Sequence, residues 1–279
     1  MATICGPATG ASIDELIARG DEAWEVRAQG HRQSRAAPLK IGEAIAAYEQ
    51  ALQADPDNQE ARWKLMRALF FQGEHVLGSR ESRLRVFERG RALGEDGIDQ
   101  VAAEAGTTRQ NLLEMPSSAA RKLISDPSLA AETFFWSAVH SGLWGQVRGK
   151  IAAARQGVAG RIRDYASMAV ALDSTVEHGG GHRILGRLHT EAPRIPFVTG
   201  WVDRQFAVAE LELCRSIFPD DLTTQYYLGE ALIEFVPERR VEGIEMLRQV
   251  VASEPDPRWV VEELKAISDA AAVLERVDS

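Results

Sequence analysis

The chain reads as an all-α protein whose helix-pair repeats wind into a closed or curved α-α superhelix. Three observations predict this class. One spacing recurs three times, as Ala44, Tyr48, Ala51 and Pro56, as Ala207, Leu211, Cys214 and Pro219, and as Gly243, Leu247, Val250 and Pro255. Apolar stripes fall at helical period, as in Ile41, Ala44, Ile45, Tyr48, Ala51 and Leu52. No strand-length alternation is bounded by hairpin turns.

In the recurring pattern the small residues let a neighbouring helix approach, the large one plugs the gap and proline ends the helix. This order is the second-helix signature of a tetratricopeptide repeat, a class that builds binding surfaces.

The elements follow in order. Ser12 with Glu15 fits a capping box, and a helix runs to about Gln29. Gly30 to Pro38 is a polar, basic loop. The striped helix from Ile41 closes at Asp55-Pro56, and Asn58 caps the next, from about Gln59 to Gln72. Another spans Ser79 to Leu93, and Gly90, Gly94 and Gly97 mark a break. Ile98 to Met115 is helical, and Pro116 ends it. Asp126-Pro127 opens the most aromatic helix, with Phe134, Phe135, Trp136 and Trp144. A short helix within Gly145 to Gly160 precedes one from Arg161 to Val176. Gly179-Gly180-Gly181 interrupts, His182 to Glu191 resumes, and Pro193 and Pro196 begin a loop to Trp201. Helices over Val202 to Ile217, Leu222 to Val236 and Val241 to Ser253 follow, and one from Pro257 to Val277 caps the stack. Residues 1–11 form a frayed N-terminus, and 12–279 form one helical-repeat domain with an irregular middle over about 116–201.

Composition narrows the function classes. Hydrophobic residues make up 45% of the 279, enough for a sizeable core. A net charge of −9 opposes broad nucleic-acid or anionic-membrane binding. Cys5 and Cys214 are not expected to pair, Cys214 being a small core residue. No run reaches the ~18 apolar residues of a membrane span. Met1 to Ser12 has no basic start and no apolar stretch, so the chain as written is expected to stay in the cytoplasm.

Two segments stand out as candidate sites. The first is the glycine run. Gly181 and Gly186 have P-loop spacing, but Arg187 and Leu188 replace the lysine and hydroxyl that a nucleotide needs, and no strand precedes them. What remains is a helix start after a flexible turn, with Gly180, Gly181, His182 and Arg183 placed to face an anion. The competing reading pairs Arg183 with a structural carboxylate. The second segment is the aromatic helix, where Trp136, His140 and Trp144 recur every four residues along one face. With Phe135 they form either core or the wall of an apolar cavity with His140 as its polar handle. The ligand-binding set is therefore Phe135, Trp136, His140, Trp144, Gly180, Gly181, His182 and Arg183. His178, His182 and His189 do not form a metal site: glycines break the first spacing, and the second spans two turns, roughly 10 Å. No nucleophile or paired-cysteine motif is present, so no catalytic residue and no cofactor is expected.

Several of these residues together resemble the T-component proteins of TRAP transporters. They are Phe135-Trp136-Ser137-Ala138 through Gly142-Leu143-Trp144, Gly179-Gly180 with Arg183 and Leu185-Gly186, Ala192-Pro193, Asp203, and Phe218-Pro219-Asp220. The resemblance covers roughly Ala44 to Leu274. It implies a helical protein of tetratricopeptide-like repeats, typically periplasmic and often lipid-anchored. Such a protein associates with the transporter's solute-binding protein and forms a ring-like trimer with a cavity through each subunit. It would enclose an apolar or organic-acid ligand and do no chemistry on it. The chain departs from that pattern at His140, where asparagine is expected, at Gly200-Trp201-Val202 before Asp203, where a glycine pair is expected, and in its lack of an export signal. The alternative is a cytoplasmic tetratricopeptide-repeat adaptor between proteins, without a ligand cavity.

Overall fold

A computed structural model describes residues 11–196 and 198–278. The expected frayed stretch 1–11 lies outside them except for Ala11, and Cys5 lies outside as well. Among the described residues the structure has fourteen α-helices and no strand. They are α1 (Ile13–Glu25), α2 (Pro38–Ala54), α3 (Gln59–Phe71), α4 (Arg80–Glu104), α5 (Arg109–Glu114), α6 (Ser117–Leu123) and α7 (Pro127–Arg148). After these come α8 (Lys150–Arg155), α9 (Val158–Leu172), α10 (Val176–Glu191), α11 (Arg204–Ile217), α12 (Leu222–Phe235), α13 (Arg240–Ala252) and α14 (Val260–Asp278). A π-helical turn, Gln72–Val76, follows α3.

The helix starts are set by the residues the sequence offers. Ser12 and Glu15 exchange side-chain and backbone hydrogen bonds at α1. Asn58 accepts from the Ala61 N–H at 2.9 Å, and Asp126 accepts from the Leu129 N–H at 3.0 Å.

The repeated spacing has a shared packing logic. In each copy the large residue of the second helix lies across a glycine of the first. A Cβ added at Gly20 would fall 2.3 Å from the Tyr48 ring, at Gly186 2.5 Å from Leu211, and at Gly229 2.6 Å from Leu247. Tyr48, Leu211 and Leu247 are completely buried as a result. The pairs α1–α2, α10–α11 and α12–α13 thus close on one small-against-large contact.

The middle departs from the sequence expectation at Gly90, Gly94 and Gly97. They do not break the chain, and α4 runs straight through them. Spaced four and three apart, they form a groove that receives α7. Cβ atoms there would meet the His140 ring at 2.2 Å, Ser137 Oγ at 2.3 Å, and Arg62 and Thr133 at 2.7 and 2.9 Å. Each glycine costs a helix about 0.5–1 kcal/mol relative to alanine, and the close packing of α7 offsets it. The helix expected from Ile98 to Met115 is instead the end of α4, a turn and α5, while α6 carried no signal that marked it.

The interruption near the glycine run is displaced too. Gly180 and Gly181 are helical, and the left-handed residues are Glu177 (φ 46°), His178 (φ 58°) and Gly179 (φ 77°). Two consecutive non-glycine residues in that region store about 1–2 kcal/mol each.

The superhelix is closed. Arg27, after α1, donates from Nε and Nη2 to Glu262 Oε1 at 3.1 and 2.8 Å, and from Nη2 to the Arg258 carbonyl at 2.6 Å. Its guanidinium lies 4.3 Å from the Trp24 ring centre and 5.0 Å from that of Trp259. Val261 of α14 is fully buried in the same core cluster as Trp24, Ile41 and Tyr48. The segment after α1 therefore meets the start of α14. Among the described residues no helix is long and apolar enough to cross a membrane.

Candidate functional site

Ring closure leaves a central cavity of about 600 Å³, bounded by α7, α10 and the C-terminal helices. That size falls within the ~300–1,000 Å³ typical of small-molecule pockets. Its apolar wall comes from α3 and α7, where Phe70, Phe135 and Trp136 lie in ring contact at 5.4 and 4.9 Å. Trp24 joins them from α1, while Phe218, Tyr227 and Trp259 complete the wall from the later repeats.

The structure divides the eight residues read as a site. Phe135, Trp136 and Arg183 line the cavity. The other five lie outside its lining, each for a packing reason. His140 is fully buried in the Gly90 notch of α4. Its Nε2 lies 2.8 Å from the Met66 carbonyl, which can only accept, so Nε2 carries the hydrogen and Nδ1 is left bare. Burial pushes the His140 pKa down to about 4, and the ring is neutral. Trp144 is buried beneath Arg91, whose guanidinium sits 4.3 Å from the indole ring centre. Gly180 makes room for the Phe135 ring and Gly181 for Val170 of α9. His182 is buried against Glu210 of α11, Nδ1 to Oε2 at 2.8 Å.

The division falls within one stripe of α7. His140 and Trp144 turn toward the grooved α4, whereas Trp136, nearer the start of the helix, lines the cavity beside Phe135, Val139, Gly142 and Gln146, and Gly142 leaves space open.

The arginines of the cavity differ in how they are paired. Arg183 donates to Asp221 Oδ2 at 2.6 Å and to the Thr224 hydroxyl at 3.3 Å, the structural pairing that competed with anion binding in the sequence. Arg187 is paired with Glu191 at 2.8 Å and with Glu230 at 2.5 Å. Arg67 of α3, which no local sequence signal marked, lies beside the Tyr48 hydroxyl, and its Nε has no hydrogen-bond partner. It stacks between Trp24 and Trp63, 4.1 and 4.9 Å from their ring centres.

Beside Arg67 lies an unusual carboxylate. Glu132 sits one turn before Trp136 on α7, and its Oε2 is buried without a partner. Burial, then the nearby Glu177 carboxylate, pushes its pKa up to about 8, against the opposing pull of Arg67 and the Trp136 N–H. Trp136 is 5% exposed, and its N–H, though directed at Glu132, completes no hydrogen bond.

The three histidines near the glycine run have separate roles. His178 lines the cavity, stacked on Phe218 at 4.4 Å, and His189 Nδ1 accepts the Asp203 N–H at 2.9 Å. Among the described residues no three metal-capable side chains come together.

Residues 40–76, which span α2, α3 and the π turn, match the tetratricopeptide repeat family. A comparison with curated proteins finds no significant match. The matched segment contains the Ala44, Tyr48, Ala51 and Pro56 copy of the repeated spacing, and the helical architecture around it is that of a tetratricopeptide-like superhelix.

Proposed function

We propose that this tetratricopeptide-like protein holds a small apolar or organic-acid ligand in its central cavity and presents it to a partner protein, as a TRAP transporter T-component would. The observation that carries the reading is the cavity: about 600 Å³ and walled by aromatic rings. A repeat scaffold that served only as an outer docking face would need no such interior. Several residues that carry the family resemblance surround it, among them Gly142, Arg183, Ala192-Pro193 and Phe218. On this reading the protein acts in the periplasm as a trimer beside a solute-binding protein, binding without catalysing.

Three of the lining side chains, Trp24, Trp136 and Trp259, are intrinsic reporters. Titration with octanoic acid is expected to change tryptophan fluorescence saturably in the native protein and not in Leu143→Trp, which fills the cavity from α7. Absence of a saturable change in the native protein overturns the ligand role. Co-elution with a solute-binding protein encoded beside this gene tests the transporter role, which falls if no complex forms.

A second reading, an adaptor that needs no ligand, is supported by the exposed Phe206 and Leu213 on α11 and Val241 on α13. It predicts partner binding unchanged by Leu143→Trp.

A further inference from the structure

One mouth of the cavity differs in charge from the rest of the molecule. Gln146 near the end of α7, Gly157 before α9, and Pro193, Ile195 and Val198 after α10 line the cavity and are also exposed, which places them at a mouth. The stretch 148–163 on this rim carries Arg148, Lys150, Arg155, Arg161 and Arg163 and no acid, in a chain of net charge −9. Arg194 adds a base from the loop after α10. Some of this charge is answered within the chain: Arg161 lies 3.6 Å from Glu95 and Arg163 2.8 Å from Asp164, while the rim acid Glu191 is held by Arg187 at 2.8 Å. Arg148 and Arg194 are exposed and make no ion pair among the described residues. The Arg163 guanidinium sits 4.7 Å from the Trp201 ring centre and so ties α9 to the far end of the loop. The loop is held by its own hydrogen bonds. The Ile195 N–H donates to Thr199 Oγ1 at 2.9 Å, the Thr199 hydroxyl donates to the Pro193 carbonyl, and Arg194 Nε donates to the Gly200 carbonyl at 3.2 Å. Thr199 is buried, whereas Ile195 and Val198 are 38% and 50% exposed, so the polar staple faces inward and the apolar side chains face solvent.

We propose that this mouth docks on the surface of an anionic lipid bilayer, with Ile195 and Val198 entering the acyl boundary and the exposed bases of the rim, Arg148 and Arg194 first, meeting lipid phosphates. The docking surface goes beyond the cavity reading and does not require the cavity to be filled. An acidic protein face would answer the bases, and an apolar one would answer the loop. A bilayer supplies both, its anionic headgroups lying directly over hydrocarbon within roughly 5–10 Å of depth. The net charge of −9 works with this arrangement rather than against it. The acidic remainder of the chain is repelled by the same surface that attracts the rim, so the field of the whole molecule turns the mouth toward the bilayer. An apolar ligand could then pass between bilayer and cavity without entering bulk water, where its exposure is unfavourable.

Vesicle flotation with the full chain tests the surface. Binding to phosphatidylcholine vesicles containing about one-third phosphatidylglycerol is expected to be about tenfold or more tighter than to phosphatidylcholine alone, an advantage that high salt removes. Arg148→Glu combined with Arg194→Glu is expected to lose that preference while keeping the thermal unfolding midpoint of the native protein. Entry of the loop is read with a nitrobenzoxadiazole dye on Val198→Cys in a Cys5→Ser background, the remaining Cys214 being buried. Its emission is expected to rise on anionic vesicles. The same dye on Val241→Cys is expected to stay unchanged, although Val241 of α13, outside the cavity lining, is 80% exposed. No preference for anionic vesicles, an unchanged preference in the double charge variant, or an equal response at Val241 overturns the proposal. So does a rim whose charge reversal releases a co-eluting solute-binding protein from a chain that binds no vesicles, which assigns the mouth to an acidic protein. None of these outcomes touches the cavity reading, which stands or falls on the octanoic acid titration.

Discussion

The repeat-built ends and the irregular middle solve one packing problem with different materials. At the ends a single glycine of one helix lies under a single large apolar residue of the next: Gly20 under Tyr48, Gly186 under Leu211, Gly229 under Leu247. In the middle three glycines make a continuous groove in α4, and the guests are Thr133, Ser137 and His140. The ends bury mainly apolar side chains, and the one polar group among them, the Tyr48 hydroxyl, donates to Asp21 Oδ1 at 2.8 Å. The middle buries hydroxyls and an imidazole, so its partners have to be supplied: Ser137 donates to the Thr133 carbonyl at 2.6 Å, and His140 to that of Met66. Close packing of α7 on α4 directs His140 and Trp144 away from the centre and leaves Phe135, Trp136 and Val139 to face the cavity. Stability and a binding space thus come from adjacent faces of the same helix.

That contrast can be broken at its largest contact first. Arg27→Met removes the pairing between the two ends and leaves Glu262 without its cation. Arg27 is nearly buried, so the loss is expected to reach about 3 kcal/mol or more in denaturant unfolding. The next effect belongs to the middle alone. His140 is held neutral, with its pKa near 4, whereas the unfolded chain protonates it near 6.5. The unfolded state therefore binds more protons between those values, and stability falls as pH drops through that window. Its share is about 3 kcal/mol. His140→Asn, which keeps a donor for the Met66 carbonyl and cannot titrate, is expected to flatten that part of the stability profile, leaving the slope of His75, whose pKa burial also lowers to about 4. A drop as steep in the variant would place the acid sensitivity elsewhere. The smallest effect compares the two kinds of notch directly. Gly90→Ala and Gly229→Ala are each expected to cost about 2 kcal/mol, through forced displacement of His140 and Leu247 respectively. Combining Gly90→Ala with His140→Ala should cost less than the sum, since the alanine then occupies vacated space. Strict additivity would mean the notch and its guest are not coupled.

The ends were the legible part of the sequence, because small, large, small and proline are local statements about a helix and its neighbour. The middle was harder for a physical reason. A glycine both weakens a helix and lets another helix approach, and Gly90, Gly94 and Gly97 read as the first while acting as the second. Their spacing of four and three was the available signal, since breaks need no such period. The aromatic helix was recognised, but of its conspicuous stripe only Trp136 faces the cavity, while His140 and Trp144 pack on α4. Only the partner helix decides that division, and α4 is far from it in sequence. Phe135, Trp136 and Arg183 were visible as unusual residues, and they line the cavity. Arg67 was not, because its place on the cavity wall is set by helices distant in sequence, and nothing adjacent to it records that.

The clasp between Arg27 and Glu262 has a consequence for how the molecule comes apart. Stacked helix pairs normally fray at their outermost members, each of which has a neighbour on one side only. Here a single clasp ties the segment after α1 to the start of α14, so opening at either end must first break it. The first opening is then expected inward, at the strained turn of Glu177 and His178 on the cavity wall. A solenoid tied into a loop yields first at the chamber it encloses.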